Sequence, residues 1–154
     1  MSHPSLHKNM TREELLTISR SKFDSATILQ ESDKSEDAIY LAGYALEFMI
    51  KRHIALRLNW SEYPPKQIKP KGDAYSQDTN YTSFYTHDLQ KLLCIGGLYQ
   101  EIISDTDLKS HLDTTLKWKV EMRYETPGTL SAEVAAEIIS STLFMIKWIK
   151  AKYE

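Results

Sequence analysis

Apolar residues recur every three or four positions along most of the chain, which is the spacing of one face of a helix. The first periodic segment follows Thr11, and Glu14 stands at the spacing of a capping box, in which each side chain bonds a backbone N–H of the first turn. The pattern predicts a helix from Thr11 to about Glu31. Its apolar stripe is modest, which is typical of a helix with one side in water.

A longer periodic segment predicts a second helix from about Ser35 to Asn59. The positions expected to face the core are Ile39, Ala42, Leu46, Ile50, His53 and Leu56. A different face of the same helix carries Tyr40, Tyr44, Glu47 and Lys51. Two interpretations of that face are open: a solvated Glu47–Lys51 pair worth about 0.3 kcal/mol, or a polar site flanked by tyrosines.

Between residues 60 and 85 the helical periodicity disappears, and prolines exclude a long helix. A long irregular stretch inside a compact domain is uncommon and is often functional. This loop contains tyrosines and lysines, namely Tyr63, Tyr75, Tyr81, Tyr85, Lys66, Lys69 and Lys71. Two hypotheses are open: the rings and lysines contact single-stranded nucleic acid, or the loop is a structural cover for the bundle.

Helical periodicity resumes at residue 86 and predicts two more helices, separated by a short apolar piece at 98–103. The first should begin at Thr86 or Asp88 and end at Gly96–Gly97. The second should begin near Asp105 and end around Arg123, and Pro127 and Gly128 then stop the chain from continuing as a helix.

The last periodic segment, from about Ser131 to Lys152, is apolar on two faces. One carries Val134, Ile138, Ile139, Thr142, Met145, Ile146 and Ile149, and the other carries Phe144 and Trp148. Such a helix is central in its bundle or shared between subunits, so we expect a homodimer that buries Phe144 and Trp148. No segment alternates long enough to make a convincing strand. The prediction is an all-α fold, an up-and-down bundle of four to five helices with one long irregular loop at about 60–85.

Composition narrows the class of protein. The 154 residues are 42% hydrophobic and 26% charged, as expected of one domain spanning 1–154. No apolar run approaches the roughly 20 residues of a membrane helix and the N-terminus has no signal core, so a cytoplasmic protein is expected. The net charge of −2 argues against a domain that collects nucleic acid by bulk charge. Cys94 lies among apolar residues and is expected to be buried and inert.

Common catalytic motifs are absent from the sequence. It has no Gly-rich phosphate loop, no His-Glu-x-x-His motif and no pair of cysteines, and its five histidines are scattered. We therefore expect no metal ion and no other cofactor.

Three segments together resemble the HEPN domain family. YLAGYALEFMIK in the second helix resembles that family's Leu-Ala, Ala, Glu, Lys pattern, and THDLQKLL resembles its His-Asp-Leu helix start. RYETPG, followed by a long apolar helix, resembles its Arg-Tyr-Pro segment. The resemblance covers roughly Ser35 to Trp148 apart from the 60–85 loop.

The resemblance implies a helical bundle, usually dimeric, of the kind found in bacterial toxin–antitoxin and phage-defence systems, often encoded beside a small nucleotidyltransferase. Many members are metal-independent ribonucleases that use an arginine, four to six further residues and then a histidine. None of the five arginines here has a histidine at that spacing, and after Arg123 the positions hold Gly128, Thr129 and Leu130. Without that histidine, no obvious group exchanges a proton near neutral pH, so the usual RNA cleavage is not expected.

The resemblance also implies a polar groove that binds RNA or a nucleotide. Its candidate residues are Arg123, Tyr124, His87, Asp88, Glu47 and Lys51. Two of them have simpler interpretations, since Arg123 suits the negative end of a helix and Asp88 suits a helix N-cap.

The leading hypothesis is a HEPN-like binding module that recognises RNA or a nucleotide, or pairs with a nucleotidyltransferase, without efficient catalysis of its own. Two alternatives remain open. One is a divergent metal-independent ribonuclease that uses Arg123 with His87, and the other is a purely protein-binding dimer.

Overall fold

The computed structural model describes residues 9–65, 84–117 and 126–154. Within these ranges the chain forms six helices and one two-stranded antiparallel sheet. The elements are β1 (Met10–Thr11), α1 (Arg12–Glu31), α2 (Ser35–Arg57), β2 (Glu62–Tyr63), α3 (Leu89–Ile95), α4 (Tyr99–Ile103), α5 (Thr106–Thr115) and α6 (Ala132–Ala151). The predicted all-α fold is confirmed, and the apolar piece at 98–103 contains the short helix α4.

Side-chain caps set the starts of four of the described helices, α1, α3, α5 and α6, as their sequences indicate. The Thr11 hydroxyl accepts a hydrogen bond from the Glu14 N–H at 3.1 Å, and the Glu14 carboxylate accepts one from the Thr11 N–H at 2.9 Å. Asp88 caps α3 through the Lys91 N–H at 3.0 Å. Ser131 caps α6 in the same way. Each cap satisfies a backbone N–H that has no partner inside its own helix.

Helix α2 runs through the core and packs against α1, α3 and α6. Five of its six predicted core positions are buried, and Leu56 is half-buried because it lies in the last turn beside the exposed Arg57. The Ser19 hydroxyl of α1, which is also buried, donates to the Ala45 carbonyl at 2.6 Å. This buried hydroxyl therefore has the partner that a polar group in the core needs.

The β1–β2 pair joins the start of α1 to the chain that follows α2. Met10 pairs with Tyr63 and Thr11 with Glu62. Arg12 reinforces the pair, because its Nε donates to the Trp60 carbonyl at 2.5 Å. The pairing places Met10 and Tyr63 beside α2, where both line a cavity. Most of the predicted irregular loop, including Lys66, Lys69, Lys71, Tyr75 and Tyr81, lies outside the described residues.

The helices α3 and α5 depart from the sequence prediction in two places. Cys94 is exposed, because the short α3 turns Leu89, Leu92 and Leu93 toward the core and leaves Cys94 on its outer side. Helix α5 ends at Thr115 rather than near Arg123. Residues 118–125 lie outside the part of the chain that the structure describes.

Helix α6 has the two faces that its sequence indicates. Its buried residues include Ile138, Ile139 and Met145. Phe144, in contrast, is 41% exposed and Trp148 is half-buried. Phe144 therefore lies outside the core of this chain, whereas Trp148 packs against the edge of the core.

Glu36, in the first turn of α2, holds the turn that precedes α6. The buried carboxylate accepts a hydrogen bond from the Leu130 N–H at 3.1 Å and one from the Thr129 hydroxyl at 3.5 Å. The Leu130 N–H and neighbouring backbone N–H groups lower the pKa of Glu36, and outweigh its burial, which acts in the opposite direction.

We expect Glu36→Gln to lower the free energy of unfolding at pH 7 by about 1–2 kcal/mol, because a neutral amide oxygen accepts these bonds more weakly. A carboxyl with a lowered folded pKa stabilises the fold above its unfolded pKa, and this contribution is lost as the pH falls through its folded pKa. The difference in the free energy of unfolding between Glu36→Gln and wild type should therefore disappear in acid. Urea unfolding at a series of pH values measures it. Asp24→Asn, at an exposed position of α1, is the control. A difference that persists in acid would contradict this role of Glu36.

Candidate ligand site around Glu47 and His87

A cavity of about 240 Å³ lies between α2, the β1–β2 pair and the segment that precedes α3. Its lining residues are Met10, Leu15, Tyr44, Glu47, Phe48, Lys51, Tyr63, Pro64, Tyr85 and His87. Three of these are polar groups that the sequence marks as candidates, namely Glu47, Lys51 and His87. The fold therefore brings part of the predicted groove together.

The Glu47 carboxylate is the centre of the polar contacts. It is 1% exposed, and its Oε1 accepts a hydrogen bond from Lys51 Nζ at 2.6 Å. His87 Nδ1 lies 2.9 Å from Oε1 and 3.1 Å from Oε2. An ionised carboxylate can only accept a hydrogen bond, so Nδ1 carries the proton in this contact and Nε2 is left for another partner. The His87 side chain is 54% exposed, so a ligand can reach it.

The interpretation of Glu47 and Lys51 as a solvated pair is wrong. Lys51 is only 13% exposed and Glu47 is almost fully buried. The pair is covered because Met10 and Tyr63 lie over this face of α2. In a buried ion pair the loss of one partner leaves the other without compensation, so each charge here depends on the other.

Four aromatic side chains line the cavity beside these polar groups: Tyr44, Phe48, Tyr63 and Tyr85. The Tyr44 ring meets the His87 imidazole edge to face, with centroids 5.8 Å apart. Lys51 Nζ lies 6.0 Å from the Phe48 centroid and 5.8 Å from the Tyr63 centroid. Aromatic faces attract cations and stack on planar groups, so the cavity suits a planar ligand with a polar or charged substituent.

Tyr63 anchors the wall of the cavity through its hydroxyl, which donates to the Phe84 carbonyl at 2.8 Å. Burial, followed by the nearby charge of Glu47, raises the pKa of the Tyr63 phenol. The phenol therefore stays neutral across the physiological range and acts as a hydrogen-bond donor rather than as a base.

The remaining predicted site residues have different positions. Asp88 is the N-cap of α3, which is the simpler of its two interpretations. It therefore sets where α3 begins, directly after His87. Arg123 and Tyr124 lie outside the described residues.

Sequence reasoning missed two apolar residues that close the site, Met10 and Phe48, and it named Tyr63 only as one of the rings of the irregular loop. For Tyr63 a signal was present, since a tyrosine before Pro64 in a region without periodicity suggests an extended segment. Nothing in the local sequence shows that this segment pairs with Met10 and Thr11.

No group of three or more histidine, cysteine, aspartate or glutamate side chains suited to a metal ion occurs in the described ranges. Over the same ranges, no helix has the length and apolar character needed to cross a membrane. Neither a family model, nor a curated protein, nor a solved structure matches this chain.

Proposed function

We propose that the protein is a HEPN-like binding module that recognises a nucleotide, or one nucleotide of an RNA strand, in the cavity around Glu47 and His87. The proposal depends mainly on one observation: a buried carboxylate holds a lysine and a histidine beside four aromatic side chains. The sequence resemblance adds a context, a toxin–antitoxin or defence system in which the module pairs with a nucleotidyltransferase.

The size of the cavity favours a single base. Its 240 Å³ lies below the roughly 300–1,000 Å³ usual for sites that hold drug-sized ligands. Stacking of one base on an aromatic ring is worth about 1–3 kcal/mol and tolerates any base, because every base has a planar face. The aromatic wall therefore accounts for affinity without requiring a particular nucleotide.

When His87 is protonated, the charges of the site favour an anionic ligand over a cationic one. Glu47 and Lys51 compensate each other, so protonation of His87 gives the group one net positive charge. The exposed imidazole can then donate from Nε2 to a phosphate oxygen, while Nδ1 remains bonded to Glu47.

We expect His87→Ala to lower nucleotide affinity about tenfold, because it removes one charged hydrogen bond to the ligand. Isothermal titration calorimetry with the four ribonucleoside monophosphates and a short unstructured RNA measures this. His111→Ala is the matched control, since His111 bonds Ser141 and lies outside the cavity. The proposal fails if wild type binds none of these probes, or if both variants lose affinity equally.

A metal-independent ribonuclease is the second candidate, and the His87–Glu47 contact specifically favours it. A carboxylate that accepts from Nδ1 fixes the tautomer and leaves Nε2 able to take a proton, which is how histidine general bases are commonly held. In that mechanism His87 would accept the proton of the RNA 2′-hydroxyl and Glu47 would be a positioning residue. Arg123, the proposed partner of His87, lies beyond the described residues.

Incubation of a fluorescent RNA with the protein and a metal chelator separates the two candidates. A binding module leaves the RNA intact. Cleavage that His87→Ala abolishes and Glu47→Gln only weakens would replace the binding proposal by the ribonuclease.

A further inference from the structure

A second groove, of about 380 Å³, lies where the C-terminal ends of α2, α3 and α6 meet. We call it the Arg57 groove. Its polar side chains are those of His53, Arg57, Glu101, Lys152 and Tyr153. None of the residues that line it also lines the cavity around Glu47 and His87. The Arg57 groove is therefore a separate candidate site, independent of the proposed function.

Positive charge predominates in the Arg57 groove. Arg57 and Lys152 are cationic, and Glu101 is the only acidic residue among the described residues that line it. Lys152 Nζ lies 2.8 Å from each carboxylate oxygen of Glu101, so these two charges compensate each other. His53 adds no charge near neutral pH, because burial and the two nearby cations lower its pKa. The charge of Arg57 is left uncompensated, which favours an anionic ligand.

The guanidinium group of Arg57 is held in place, but only part of it is used. Its Nη1 donates to the Gly96 carbonyl at 2.6 Å, and the group lies directly beside Gly97, where an added Cβ would overlap it. Nε and Nη2 have no hydrogen-bond partner among the described residues. These two nitrogens form an edge of the guanidinium that can bind two oxygens of one anion. Because the group is already fixed, binding costs little side-chain entropy.

Positive charge alone does not identify a ligand site here, because Arg57 and Lys152 lie at helix C-termini, where cations compensate the helix dipole. A second observation comes from His53, which is 5% exposed. Its Nε2 lies 3.0 Å from the Gly96 carbonyl oxygen, so Nε2 carries the proton and Nδ1 is an acceptor. Nδ1 is buried and has no hydrogen-bond partner among the described residues. A buried acceptor of this kind calls for a donor.

We propose that the Arg57 groove binds a phosphate that retains a hydroxyl, either inorganic phosphate or the singly protonated form of a phosphate monoester. Two oxygens accept from Arg57 Nε and Nη2, and the hydroxyl donates to His53 Nδ1. A carboxylate or a sulfate suits the guanidinium edge but has no hydroxyl near neutral pH. The Tyr153 ring, 43% exposed, packs on the imidazole with centroids 5.3 Å apart, and it turns aside as the ligand enters.

Inorganic phosphate and sulfate are matched probes, because both are tetrahedral anions and only phosphate keeps a hydroxyl at about pH 6. We expect phosphate to shift the amide NMR signals of Gly96 and Gly97 until they saturate, and sulfate to bind about tenfold more weakly. Equal affinities for the two anions, or no shift with either, would overturn the proposal.

Glycerol phosphate distinguishes the two sources of the ligand. At about pH 6 a monoester is roughly half singly protonated, so it can present the same hydroxyl. Binding tighter than that of inorganic phosphate identifies a monoester as the ligand, and weaker binding identifies inorganic phosphate.

Two lysines near the end of α6 provide a matched pair of variants. Lys152 lines the groove, whereas Lys150 pairs with Glu154 and does not. We expect Lys152→Gln to lower phosphate affinity about threefold or more, because it leaves Glu101 to repel the anion, and Lys150→Gln to change it little. Glu101→Gln should raise the affinity about threefold. Equal effects of the two lysine variants, or no gain with Glu101→Gln, would contradict the proposed site.

Arg57→Lys tests the guanidinium edge. Lysine keeps the charge but lacks the pair of parallel donors, so we expect phosphate affinity to fall about tenfold. Urea unfolding shows whether this variant still folds, and the Lys152 and Glu101 variants test the site without changing Arg57. His87→Ala should leave the phosphate-induced shifts of Gly96 and Gly97 unchanged. If it removes them, the phosphate is bound at the cavity around Glu47 and His87, and the proposal for the Arg57 groove fails.

Discussion

Replacement of Gly97 by alanine is expected to lower the free energy of unfolding by about 3 kcal/mol, from backbone strain and a lost hydrogen bond. Gly97 has a φ of +71°, a left-handed conformation that alanine adopts only with strain. A Cβ at this position would also overlap the guanidinium group of Arg57.

The overlap matters because Arg57 fastens α2 to the end of α3. Its Nη1 donates to the Gly96 carbonyl at 2.6 Å, and the same carbonyl lies 3.0 Å from His53 Nε2. Moving the guanidinium aside removes a charged hydrogen bond from a carbonyl at the end of a helix.

Gly128→Ala is the matched control for Gly97→Ala. Gly128 has a φ of +90°, but a Cβ there would meet no described atom within 4 Å. Only the backbone strain remains, so we expect a loss of about 1 kcal/mol. Urea unfolding of both variants measures the difference. Equal losses would mean that the Arg57 contact adds nothing. The double variant Gly97→Ala/Arg57→Ala separates the backbone strain from the loss of the Arg57 hydrogen bond.

Lys51→Met is expected to destabilise the fold by about 2–4 kcal/mol, because it leaves the buried Glu47 charge without its closest cation. Methionine keeps most of the apolar length of lysine, so the loss reports the charge rather than the packing. His87 can compensate in part, since its Nδ1 contacts the same carboxylate. The loss should therefore lie toward the lower end of this range.

Lys109→Met provides the comparison. Lys109 and Asp113 are also four residues apart on one helix, with an N–O distance of 2.9 Å, but both side chains are more than half exposed. A solvated pair of this kind contributes about 0.3–0.5 kcal/mol, so the variant should unfold almost as wild type does. If thermal unfolding shows similar small losses for both variants, Glu47 is not a buried charge that depends on Lys51.

The boundaries of most helices could be predicted because they depend on residues close in sequence. Thr11 and Glu14 form the expected capping box, Asp88 and Ser131 cap the expected helices, and Gly97 takes the left-handed conformation that ends α3. Each of these contacts spans only a few residues, so its geometry follows from one local segment. The apolar stripe of α2 was predictable for the same reason, since one helix face is defined by spacing alone.

The end of α5 and the exposure of Cys94 show where local pattern is insufficient. Apolar periodicity continues past Thr115, yet the helix stops there. Cys94 follows two buried leucines, yet it points away from the core because α3 offers only one side to α2. At Cys94 the sequence shows an apolar neighbourhood but does not say which side of α3 another element will cover.

The candidate site depends even more on distant parts of the chain. Glu47 and Lys51 have the spacing of an ordinary surface pair, and spacing cannot distinguish a solvated pair from a buried one. The pair is buried because β2 returns over α2 and pairs with β1, and His87 reaches Glu47 across 40 residues of sequence. Burial and partner choice are set by which surfaces pack together. The local chain therefore specifies the helices, whereas their packing converts a common ion pair into a charged centre beside an aromatic cavity.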